Sequence, residues 1–109
     1  WDLYFKTSHW PEMDRWIEEK DSRTWRSTLK TLSYFDTMNM ASWIECPVFM
    51  GVGLQDAICP PGTIFAVYNR LKGKKEFLSY PRAKHNMEKE FHSLAFNWMR
   101  KHFGLNPIL

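Results

Sequence analysis

Apolar positions along this chain change their period near Pro47. Before it, over the first 45 residues, they recur at helical steps. Pro11 fits the first turn of a helix, with Glu12 and Asp14 placed well for its dipole. Asp21 or Ser22 can cap a second helix, in which Trp25, Leu29 and Leu32 recur at three- and four-residue spacing. A third short helical piece is expected over about Asn39 to Ile44. After Pro47 the run "VFMGVG", Val48 to Gly53, is short and continuously apolar, the pattern of a strand buried on both faces. Pro60 and Pro61 then precede Ile64, Val67, Tyr68 and Leu71 at helical spacing, and Gly73 is expected to close that helix. "KEFLSY" predicts a second strand. From about Met87, residues Phe91, Leu94, Ala95, Trp98 and Met99 predict a long amphipathic helix that ends near Gly104.

Helices, strand, helix, strand, helix is the alternation of a parallel α/β sheet. Two parallel strands leave unpaired outer edges and do not make a stable sheet alone. The expected architecture is therefore the carboxyl-terminal part of a larger α/β domain. Residues 1–45 form its helical, Trp-rich segment, and residues 46–109 carry the last two strands and helices.

Composition narrows the function classes. The chain has 109 residues, 44% of them hydrophobic and 17% aromatic, so it is built to bury a core. Six tryptophans are many for this length, and Trp1, Trp10, Trp16 and Trp25 crowd the first quarter. Such a cluster suits a core, an interface or a substrate rim. Net charge is +3, with basic residues scattered apart from Lys72, Lys74 and Lys75, which read as a solvated turn. A nucleic-acid surface needs a broader basic face with interleaved aromatics, so no nucleic-acid partner is expected. No run is long enough to cross a membrane. The chain starts at Trp1 rather than Met, so no compartment is read from it. Cys46 and Cys59 have no metal-type spacing.

Candidate chemistry lies at the carboxyl ends of the two strands, where open α/β sheets gather their ligands and catalytic groups. Asp56 follows the first strand in "GLQDAICPPG", and His85 follows the second in "YPRAKHNME". If the strands are parallel neighbours, both side chains emerge on one edge. An imidazole can take a proton from a serine hydroxyl, and a carboxylate on its other nitrogen fixes the tautomer and stabilises the imidazolium. Acid then histidine, each after a late strand, is the order α/β-hydrolases use, with the serine earlier in the chain. No G-x-S-x-G is present. Ser8, Ser22, Ser27, Ser33, Ser42, Ser79 and Ser93 lack flanking glycines and read as cap or surface residues, so the nucleophile is expected upstream. His85, Glu88 and His92 could align on a helix as metal ligands, but they lack a fourth donor and His85 is needed elsewhere. His9 and His102 read as surface residues.

The segments "LSYFDTMN", "CPVFMGVGLQD", "CPPGTIFAVYN" and "KEFLSYPRAKHN" resemble the acetyl xylan esterases and cephalosporin-C deacetylases, a carbohydrate esterase family of α/β-hydrolase fold. The likeness runs from about Thr31 to His85. It implies that Asp56 is the triad acid and His85 the triad histidine, 29 residues apart as in the family. Where the family usually has Gly-His-Glu, this chain has Lys84, His85 and Asn86. The resemblance further implies a serine esterase that removes acetyl groups from small acetylated sugars such as xylo-oligosaccharides. It implies no metal or organic cofactor, and a homo-oligomer for the complete protein. Another α/β-hydrolase activity, such as a dienelactone hydrolase or a peptidase, could use the same pair. A non-catalytic module binding sugar or a partner through its tryptophans is the alternative of a different class.

Overall fold

Prolines, glycines and short-range caps set where each element of the chain starts and stops. The computed structural model describes residues 1–8, 11–19, 22–87 and 89–108. Helices α1 (Asp2–Thr7), α2 (Pro11–Glu18) and α3 (Ser22–Ser33) occupy the amino-terminal part. Pro11 opens α2, where its missing N–H costs nothing. Ser22 is the first residue of α3, not its cap, and Asp21 lies outside the described residues. The third helical piece starts earlier than its expected Asn39. Helix α4 (Thr37–Met40) is launched by Asp36, whose side chain accepts the Met38 N–H at 2.9 Å, and a 3-10 turn follows at Ala41–Trp43.

Strands β1 (Val48–Gly53) and β2 (Lys75–Tyr80) coincide with the two apolar runs. Between them, helix α5 (Pro61–Arg70) provides the crossover that parallel strands require, with Pro61 at its first turn. Helix α6 (Lys89–His102) closes the order, and Gly104 follows with φ of 69°, the left-handed conformation suited to a helix end. Gly73 does not close α5. The helix ends at Arg70, and Leu71 turns into an extended conformation so that the chain can enter β2. Gly73 instead passes close to the Glu45 carbonyl, 3.2 Å from where a β-carbon would stand.

β1 and β2 pair in parallel, Val48 opposite Lys75 and Gly53 opposite Tyr80. Side chains alternate across the sheet, so Phe49 points to one face and Met50, with its partner Phe77, to the other. Helix α6 covers the first face. Phe91 and Trp98, seven residues apart on one side of the helix, stack against Phe49 with ring centroids 5.5 and 5.6 Å away. Trp98 also donates its indole N–H to Glu76 at 2.7 Å. Helix α5 covers the other face, setting Phe65 and Tyr68 on Phe77 at 5.0 and 4.9 Å. The result is an α/β/α sandwich around two strands.

β1 is less buried than its apolar run predicts. Val52 and Gly53 are buried, but Val48 to Gly51 are only partly so, because among the described residues β1 pairs with β2 alone. Near the amino end, Trp1, Tyr4, Phe5 and Trp25 form a ring cluster with centroid separations of 5.1 to 5.7 Å. Among the aromatics of that segment, these rings pack on one another. Trp10 lies outside the described residues. Among the described residues no helix is long and apolar enough to cross a membrane.

Candidate active site

The two strands end level with each other, and the loops beyond them are laced together by the backbone. Leu54 N–H donates to the Tyr80 carbonyl at 3.0 Å, and Gln55 N–H to the Ala83 carbonyl at 3.0 Å. Asp56 N–H turns back onto the Gly53 carbonyl, and Ala83 N–H onto that of Tyr80, each at 3.2 Å. This lacing needs a residue without a side chain at Gly53. A β-carbon there would stand 2.6 Å from the Ala83 carbonyl oxygen and closer still to that of Lys84. Gly51 admits α6 in the same way, since a β-carbon would meet Phe91 and the Met87 methyl at 2.7 Å.

The loops bring Asp56 and His85 into contact. Asp56 Oδ1 accepts the N–H groups of Ile58 at 2.9 Å and Cys59 at 2.8 Å, and Oδ2 faces His85 Nδ1 at 3.1 Å. Asp56 is therefore a turn residue and not the cap of α5, whose N-cap is Pro60. Two backbone donors fix the carboxylate plane, leaving the second oxygen aimed at the imidazole. The Asp56 side chain is 10% exposed and that of His85 53%. A carboxylate on Nδ1 holds the ring proton there, which leaves Nε2 as the free base. Such a pair can accept a proton from a hydroxyl and hold the charge that results.

Two residues of this site were not visible in sequence. Ser8, read as a cap or surface serine, is buried and donates its hydroxyl to the Ile58 carbonyl at 2.8 Å. It ties α1 to the turn that holds Asp56. Cys59 stands beside the pair, its sulfur within 4.8 Å of both the Asp56 carboxylate and the His85 ring nitrogen. Burial raises the Cys59 thiol above its ordinary pKa, and the neighbouring Asp56 charge adds to the rise. Its place three residues after Asp56 becomes a contact only once the turn forms. Beyond Cys59 lies an apolar cavity of about 560 Å³, walled by Trp1, Leu3, Tyr4, Phe35 and Ile64 among others.

The other expectations divide plainly. Hydroxyls of Ser33 and Ser93 turn back onto carbonyls of their own helical segments, at Lys30 and Lys89. Among the described residues no serine hydroxyl is bonded to His85. In the metal set of His85, Glu88 and His92, Glu88 lies outside the described residues, and His92 packs its ring against Phe91. His85 groups instead with Asp56 and Cys59. His102 is exposed, with Nδ1 on the Trp98 carbonyl at 2.9 Å, and His9 lies outside the described residues.

Known proteins resemble this chain in sequence and in shape. Residues 1–102 match the profile of the family described as acetyl xylan esterase. The acetyl esterase Axe7A of Xylanibacter ruminicola is 34% identical over 73 residues, which make up 67% of this chain and 17% of that protein. Acetyl xylan esterase 1 from Thermoanaerobacterium sp. JW/SL YS485 superposes with a TM-score of 0.76 at 35% identity, over 93% of this chain and 32% of its own. An acetyl xylan esterase from Paenibacillus sp. R4 superposes with a TM-score of 0.73 at 37% identity, over 87% of this chain and 31% of its own. The chain thus spans a minor share of the length of each relative.

Proposed function

The chain belongs to the acetyl xylan esterase family, and from that premise we propose that it carries the acid and the histidine of a serine esterase, Asp56 and His85. The observation that carries this reading is the contact of the Asp56 carboxylate with His85 Nδ1 at 3.1 Å, beyond the carboxyl ends of two parallel strands. In this reading, residues 1–45 and 46–109 are the helical segment and the final strand–helix units of a carboxyl-terminal α/β-hydrolase portion. A serine outside this chain supplies the nucleophile.

The steps follow from the tautomer. His85 Nε2 takes the serine proton as the hydroxyl attacks the acetyl carbonyl, while Asp56 stabilises the imidazolium that forms. Backbone donors outside this chain hold the oxyanion. The imidazolium then protonates the departing sugar hydroxyl, and in deacylation Nε2 accepts a proton from the attacking water. Small acetylated sugars, xylo-oligosaccharides among them, are the substrate class, and a homo-oligomer of the complete protein belongs to the same reading.

The test is acetate release from acetylated xylose, and hydrolysis of p-nitrophenyl acetate, by the complete protein. Asp56→Asn and His85→Ala should each lower kcat by roughly 10³–10⁶-fold. Near-normal turnover in either variant contradicts the assignment.

A further inference from the structure

Three different donors meet at the mouth of the sheet, and hydrolysis uses only two of them. Cys59 Sγ, an Asp56 carboxylate oxygen and a His85 ring nitrogen all lie within 4.8 Å of one another. Independent constraints put them there. Asp56 and Cys59 share one turn, closed by the Cys59 N–H on Asp56 Oδ1 at 2.8 Å, while His85 arrives from the loop after β2. Thiolate, imidazole and carboxylate together are the donor set that zinc and its neighbours in the transition series prefer.

The distances suit such an ion. A tetrahedral cation with bonds of about 2.0–2.3 Å holds its ligand atoms about 3.3–3.6 Å apart. Asp56 Oδ2 and His85 Nδ1, 3.1 Å apart, need to open only slightly. The widest side of the triangle must close from no more than 4.8 Å to about 3.6 Å. His85 can supply that movement, being half-exposed on a loop, and its exposure leaves a fourth position open to water.

We propose that Asp56, Cys59 and His85 bind a divalent cation of the zinc class, and that the bound ion switches hydrolysis off. The second half rests on the esterase reading above. Binding exchanges one thiol proton for the metal and releases it to solvent. The metal takes the Nδ1 position, so the proton of the neutral ring moves to Nε2. Nε2 is the atom that must be unprotonated to accept the serine proton. The ion therefore imposes the tautomer that esterolysis cannot use.

Cobalt(II) alone, titrated into the metal-stripped complete protein, reads the site through thiolate-to-cobalt charge-transfer absorption in the near ultraviolet. A saturable band at one ion per chain is expected, retained in Cys46→Ser and lost in Cys59→Ser. His85→Gln should bind about 10-fold or more weaker, a loss that even outer-shell changes bring. No band, or a band that survives Cys59→Ser, overturns the site. Should Cys59→Ser lose its native circular dichroism, alkylation of Cys59 in the unmodified protein, followed by mass spectrometry, gives the answer. Protection by cobalt supports the site, and an unchanged labelling rate overturns it. Zinc should suppress p-nitrophenyl acetate hydrolysis over the range in which it displaces cobalt, and full activity at saturating zinc overturns the switch. An esterase reading that failed for want of activity would leave the cobalt titration unaffected.

Discussion

At Gly53 a hydrogen atom stands where any other residue would bring a β-carbon, and the meeting of two loops depends on it. The carbonyls of Ala83 and Lys84 occupy the space a β-carbon would need, and both belong to backbone that cannot swing aside as a side chain would. Gly53→Ala should cost about 1–3 kcal/mol of stability, the usual range for forced overpacking. It should also shift the His85 ring resonances, since Lys84 precedes that residue. Urea denaturation with histidine NMR checks both, and a variant with unchanged stability and ring signals contradicts the close approach. The contact of Asp56 with His85 was legible in the sequence, because each residue follows an apolar strand and sits in a recognisable motif. Cys59 and Ser8 were not. Ser8 is buried, and Cys59 is drawn to the pair by a turn that only the folded chain creates.

Strands were the most legible elements. Val48–Gly53 and Lys75–Tyr80 are set off by Pro47 and by polar loops, so composition marks their ends. Helix ends were less so. Gly73 looked like a terminator, yet Leu71 had already turned extended, since register with Val48 demands that Lys75 arrive in a strand conformation. Asp36 starts α4 earlier than apolar spacing indicates, because its carboxylate claims the Met38 N–H. Phe49, held between Phe91 and Trp98, joins α6 to the sheet. Phe49→Ala should cost about 2–4 kcal/mol, at or below the range for a buried phenylalanine because the residue is only partly buried. The denaturant midpoint of the complete protein should fall with little change in slope. An unchanged midpoint would mean that α6 is held by something else.

As a whole molecule the chain is loosely gathered. Its radius of gyration is 16.5 Å, against about 13 Å for a compact domain of similar length. Among the described residues only Ala41, Val52, Leu71 and Ala83 are buried hydrophobics, while Tyr34, Phe35, Trp43 and Phe103 are each about 70% exposed or more. Apolar faces on that scale call for cover. The sequence already shows this in its two-strand alternation, which leaves sheet edges unpaired. It was silent about what lies against those faces, because hydrophobic periodicity reports that a face is buried and not by what. In the esterase reading proposed above, Asp56 and His85 work as one unit. A double-mutant cycle on kcat for acetyl ester hydrolysis tests it most directly. Asp56→Asn with His85→Ala is expected to be hardly slower than His85→Ala alone. Losses that multiply, or a single variant with near-normal kcat, would contradict it.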